Sequence, residues 1–202
     1  KLLEGRVAII TDGSPFVLTV PCLFIEAFQT SEDYYSLPFI ASFIRMLRFI
    51  AFVISMYGPA FYVAMVGFHQ SVVPFKLVVT IAAARQGLPF SPFTEAFIMG
   101  LTFELLREAG IRMPKPVGQA VSIVGALVLG EASIRAGITG APMVIVTAIT
   151  AICSFILTPY TDLLPFARFA LLIAANVLGL IGIALVSAVG LVHLCSLRSF
   201  GV

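Results

Sequence analysis

Cysteine, histidine and charge are all scarce in this chain, and each scarcity excludes something. Three cysteines, Cys22, Cys153 and Cys195, stand far apart and odd in number, and only His69 and His193 accompany them. No metal-ligand spacing arises from such a set, so no metal and no cofactor is expected, and the cysteines read as reduced packing residues. Only 11% of the residues are charged, against about a quarter in a soluble domain, while 60% are hydrophobic and the mean hydropathy is +1.09. That balance excludes an ordinary soluble domain and points to a protein embedded in membrane lipid. The net charge of +2 comes from scattered basic residues and leaves no footprint for nucleic acid. There is no HExxH, no GxSxG, no glycine-rich phosphate loop and no nucleophile with a base, so no enzyme is expected. The sequence starts at Lys1 without a methionine and reads as a piece of a longer protein. Its first apolar run, Val7 to Ile10, is too short for the core of a signal peptide.

What the chain does contain is a succession of long apolar runs arranged around one charged helix. Arg6 to Val20 reads as a β-hairpin turning at Asp12-Gly13, the remnant of a soluble domain. Ile25 to Leu37 mixes acids with Phe28, Tyr34 and Tyr35, as suits a membrane–water boundary, with Thr30 or Ser31 capping a short helix. Phe39 to Phe68 is the first span, with Arg45 and Arg48 at its cytoplasmic end and Gly58-Pro59 inside it. Val72 to Ala84 is too short to cross and reads as interfacial or re-entrant. Val117 to Ala136 and Ala141 to Leu157 are further spans. Leu163 to Cys195 is an apolar run, interrupted only by Arg168, that must tilt, bend or project. The expected fold is an all-α polytopic membrane protein with about four transmembrane helices, shorter interfacial helices and an N-terminal hairpin. Six spans remain possible, because the basic cluster Arg107, Arg112 and Lys115 fits the positive-inside rule only if more helices cross. Residues 1–36 would close a cytoplasmic domain, 37–195 form the membrane domain, and 196–202 begin a tail.

The charged helix lies in Glu95 to Gln119. Ser91 and Pro92 supply its cap and first turn, Gly110 is expected to stop it, and Pro114 and Pro116 follow. Carboxylates beside apolar spans need partners, water or a function. On a helical wheel Thr102 shares the face of Glu95, whereas Glu104 and Glu108 lie nearly opposite. Glu104 and Arg107 can pair at i, i+3, and Glu131 and Arg135 at i, i+4. Two readings of the helix stand side by side: charges solvated at the interface, or one face on a water-filled path with Glu95, Thr102, Glu104, Glu108, Gln119 and Ser122 as candidate lining. Gln119 and Ser122 can equally be hydrogen-bonding between helices. Ser122, Ala126 and Gly130 form a stripe of small residues, and Gly179 and Gly182 mark other close helix contacts.

Four ordered segments, EGRVAIITDGSPF (Glu4 to Phe16), SEDYY (Ser31 to Tyr35), LTFELLREAGIRMP (Leu101 to Pro114) and GQAVSIVGALVLGEA (Gly118 to Ala132), carry a resemblance. The chain resembles the membrane domain of the A subunit of spore germinant receptors, the GerA family. The resemblance implies a missing cytoplasmic domain before Lys1, a tail after Val202, and residence in the spore inner membrane. It implies assembly with itself as a pentamer, and with a transporter-like B subunit and a lipoprotein C subunit. The A subunits would form a nutrient-gated cation channel. Glu131 departs from the neutral polar residue expected there. A paralogue encoded with the dipicolinate-channel genes shares the motifs. A secondary transporter or a non-conducting scaffold are the alternatives, and the absence of an internal repeat counts against transport.

Overall fold

The computed structural model describes residues 5–13, 17–21, 23–113, 125, 128–156 and 163–198. Two strands, β1 (Val7–Ile10) and β2 (Val17–Val20), precede a mostly helical chain. The helices are α1 (Pro38–Gly67), α2 (Phe75–Arg85), α3 (Pro92–Arg112), α4 (128–135), α5 (Ala141–Phe155), α6 (Leu163–Leu178) and α7 (Leu180–Ser196). Only α1 is long and apolar enough to cross a membrane among the described residues; α5, α6 and α7 are shorter apolar helices.

The hairpin differs from its expected form. Val7 pairs with Val20 and Ile10 with Val17, so the connection is 11–16 rather than a two-residue turn at Asp12-Gly13. This register sets the two β-branched runs directly opposite one another, which a turn at 12–13 would not do. Gly13 still takes a positive φ of 80°.

Ion pairs tie this N-terminal part to α1. Arg6 pairs with Glu26 in the 3₁₀ turn Phe24–Phe28. In the next turn, Ser31–Tyr34, Asp33 accepts from the N–H of its cap residue Thr30 at 3.2 Å. Its two carboxylate oxygens also receive Arg48 Nη1 at 2.7 Å and Nη2 at 2.8 Å, with Arg45 Nε at 3.2 Å. The Arg48 guanidinium holds the Asp33 carboxyl well below the usual carboxylate range. Beneath this clamp Phe28 is buried against Phe52 and Leu164.

α1 is the central helix, in contact with α3, α5, α6 and α7. Small residues on it permit close approach: Ala60 and Ala64 pack on Leu171 and Ala175 of α6 and Ile183 of α7. A Cβ on Gly58 would lie 2.8 Å from Thr150 Oγ1 of α5.

Two helix ends depart from expectation. α3 runs past Gly110 to Arg112 and stops at Met113, whose extended backbone (φ −93°, ψ 159°) is what a residue before proline prefers. Pro114 therefore ends the helix, not a left-handed Gly110. The run Leu163 to Cys195 is two helices, not one. Gly179, at φ 61°, breaks it, and the chain turns so sharply that Gly182 comes against the Ala174 carbonyl. Gly137 (φ 64°) closes α4, with the N–H of Ile138 reaching the Ser133 carbonyl at 3.0 Å.

Asp33→Asn should loosen the N-terminal part from α1 by about 3 kcal/mol, because it leaves Arg48 without its counter-charge. Since the folded pKa is depressed, this stabilisation is fully present above about pH 4, the unfolded value, and is lost as pH falls through the folded one. Amide exchange over 24–35 should rise in the variant at neutral pH. In the parent it should rise only in strong acid.

Candidate functional site: buried charges between the helices

Two centres of buried charge organise the described bundle. The first is built where α2 ends and α3 and α5 begin. Ser91 caps α3, its Oγ accepting from the N–H of Thr94 at 3.3 Å, and Pro92 presets the first turn. Glu95 falls in that first turn with 0% exposure. Its Oε1 faces Arg85 Nη2 of α2 at 3.1 Å, and its Oε2 accepts from the N–H of Gly140, the cap of α5, at 3.1 Å. The carboxylate thus lies at two helix N-termini, and the guanidinium lies in the last turn of α2, the favourable ends for each charge. Tyr62 of α1 stands beside Arg85.

The second centre lies between α1, α3 and α6. Pro59 has no N–H, so the carbonyl four residues earlier, Ser55, loses its helical donor. Arg168 of α6 supplies one, Nε donating to Ser55 O at 3.0 Å. Arg168 is 5% exposed and feels the fields of both Glu104 and Arg107 across the contact with α3. Glu104 and Arg107 form an ion pair, with Arg107 largely buried and Glu104 partly buried. The crevice beside Arg168, lined by Pro59, Gly100, Phe103 and Thr150, measures about 10 Å³. That is room for about one water. Among the described residues, this crevice offers no passage for a hydrated ion.

The other residues named from the sequence fall as follows. Thr102 back-bonds to the Ile98 carbonyl at 2.8 Å. Glu108 is exposed and pairs with Arg112 at 2.8 Å, one turn on along the same helix. Glu131 and Arg135 form an exposed pair at 2.5 Å. Gln119, Ser122 and Ala126 lie outside the described residues. Gly130 meets Val144 of α5 in the same chain, where a Cβ would come within 3.0 Å. Gly179 packs against His69 and Phe68. Cys153 and Cys195 are free thiols, the second exposed rather than packed.

Sequence reasoning missed both partners, Arg85 for Glu95 and Arg168 for Ser55. A signal existed for the second: a mid-helix proline frees a carbonyl, and an arginine in an apolar run must find an acceptor.

The family model described as "Bacillus/Clostridium GerA spore germination protein" matches residues 1–202. The chain belongs to the GerA family of spore germination proteins. Spore germination protein KA of Bacillus subtilis (strain 168) is 52% identical across 100% of this chain and 38% of its own length. A membrane protein of the same organism, YfkQ, is 46% identical over 100% of this chain and 40% of its own. Spore germination protein GerLA of Bacillus cereus is 44% identical over 100% and 42%. The chain therefore spans about two-fifths of the length of these GerA relatives. No solved structure matches it.

Glu95→Gln should lower the stability of the GerA protein in detergent by about 3 kcal/mol, because it strands a buried guanidinium. Combining it with Arg85→Met should recover part of that loss, a non-additivity that thermal unfolding of the two single variants and the double would measure. Arg168→Leu should likewise destabilise the parent. It should do so much less beside Pro59→Ala, which returns a helical N–H to the Ser55 carbonyl.

Proposed function

We propose that this chain is the membrane part of a germinant-receptor A subunit, several of its helices crossing the spore inner membrane. Copies assemble, as a pentamer, around a nutrient-gated cation path, with a transporter-like B subunit and a lipoprotein C subunit as partners. Residues 1–36 close a cytoplasmic domain, 37–195 form the membrane domain and 196–202 lead into a tail. The observation that carries the reading is the two-sided character of α3. Glu95 is committed to Arg85 and Gly140 inside its own chain, whereas Glu108 is 56% exposed on its side chain. With room for about one water beside Arg168, an ion path would run between copies rather than through the centre of one. A ring of copies would repeat each outward acid around an axis, and rings of carboxylates favour cations. Thr102, Gln119 and Ser122 complete the candidate lining.

The non-conducting scaffold draws on a specific observation too. Glu104, Glu108 and Glu131 each have an arginine partner within one turn. Cation flux into liposomes carrying the full-length protein separates the readings. Glu108→Gln should lower cation-over-anion selectivity about tenfold without loss of folding, while Glu95→Gln should lose assembly. Glu104→Gln should destabilise the protein by taking a counter-charge away from the buried Arg107. Absence of flux from well-assembled parent protein supports the scaffold. Flux that survives Glu108→Gln unchanged removes this acid from the path.

A further inference from the structure

The first half of α1 has two faces, and the chain covers one of them. Arg45, Arg48 and Phe52 hold the N-terminal turns: Asp33 receives both arginines, and Phe28 packs on Phe52 and Phe49 with ring centroids 5.4 and 5.8 Å apart. On a helical wheel the opposite face is Ile40, Phe43, Leu47 and Ile50. All four are exposed, Phe43 by 53%, and Phe39 beside them by 87%. α6, the helix that packs most closely on α1, begins only at the level of Phe52 and Met56, where Leu164 sits.

Hydrocarbon is a poor cover for this face. Beside α1 from Arg45 to Phe52 lie two 3₁₀ turns with exposed Ser31 and Glu32, the ion pairs of Asp33 with Arg45 and Arg48, and a hairpin tied on by Arg6 to Glu26. Irregular backbone, open sheet edges and charges are kept out of the lipid-exposed core of a bilayer. That level of α1 therefore stands outside hydrocarbon, where a bare apolar face would meet water. Taking about 200 Å² for each aromatic side chain and somewhat less for Ile and Leu, the patch exposes on the order of 500 Å². A patch of that size marks an interaction surface. Two such patches in contact would bury about 1,000 Å², the size that a specific protein interface reaches. The spacing identifies the occupant. Ile40, Phe43, Leu47, Ile50 and the half-buried Ile54 follow at intervals of three, four, three and four. That repeat is how one helix packs lengthwise on a like helix at a shallow angle. Copies in one membrane share an orientation, so the same level of α1 recurs in each.

We propose that this face is where two copies of the chain meet: the first half of α1 lies parallel and in register against α1 of a second copy, with Ile40, Phe43, Leu47 and Ile50 interleaving outside the bundle. The Asp33 clamp on the other side of α1 keeps the N-terminal turns clear of this contact. The inference rests on the reading of the chain as part of a membrane assembly and names the surface that joins the copies. It does not require the assembly to conduct ions.

The test uses full-length protein in membranes, its native cysteines replaced by serine, carrying a single cysteine and oxidised with copper phenanthroline. Ile40→Cys and Leu47→Cys should each give a disulfide-linked dimer of the chain. Ser42→Cys, exposed but off this face, should give at least fivefold less. Leu47→Glu alters an exposed residue and leaves the Asp33 clamp alone, so it should reduce the Ile40→Cys cross-link at least fivefold with thermal unfolding unchanged. Equal cross-linking from Ser42→Cys, or a cross-link that survives Leu47→Glu, overturns the proposal. An assembled protein whose Ile40→Cys and Leu47→Cys variants stay uncross-linked overturns this surface and leaves the assembly reading in place. A protein that is monomeric in the membrane overturns both. Cross-linked copies that pass no cations support this surface and count against the channel alone.

Discussion

A backbone carbonyl without a helical donor joins the two most closely packed of the described helices. Pro59 takes the N–H away from Ser55, and Arg168 on α6 returns one. In lipid or a dry core, an orphaned carbonyl and an isolated guanidinium are each expensive; brought together they satisfy one another. The exchange fixes the register of α6 on α1. The small residues Ala60, Ala64 and Ala175 then let the backbones close around Leu171. Gly58, next to the proline, admits Thr150 of α5 on the neighbouring face. One Gly-Pro pair thus organises three helices.

The second centre does for the connections what the first does for the helices. Glu95 draws the end of α2 and the start of α5 to the first turn of α3 through a guanidinium and a backbone N–H. A buried carboxylate is tolerable there because two helix N-termini and one arginine surround it. This arrangement also sorts the acids of α3 by role. The residue that looks most like a membrane carboxylate awaiting a function is the one committed to structure. The outer acid, Glu108, is the one left where another copy or water can reach it, while Glu104 stays against the buried Arg107.

The N-terminal part is attached by a similar device in a more polar setting. Asp33 caps its own 3₁₀ turn and at the same time receives two arginines from α1. The turn is therefore formed and docked by the same carboxylate.

Much of the local structure was legible in the sequence because its causes lie within a few residues. Ser91-Pro92 starts α3 and Gly137 closes α4, each through backbone chemistry of its own neighbourhood, whereas the end of α3 was read at Gly110 and falls at Met113, before Pro114. The spacing of Glu104 with Arg107, and of Glu131 with Arg135, likewise places those charges within reach on one helix. Family membership followed from ordered motifs in the chain. What required the tertiary structure were the pairings between elements distant in sequence: Arg85 with Gly140 around Glu95, Arg168 with Ser55, and Arg48 with Asp33. The break at Gly179 belongs with them, since several glycines in that run permit a turn and packing against Phe68 and His69 selects one. Periodicity tells which side chains share a face. Only the packed helices decide which faces meet, because the free energy of a buried charge depends on a partner that the local sequence does not contain.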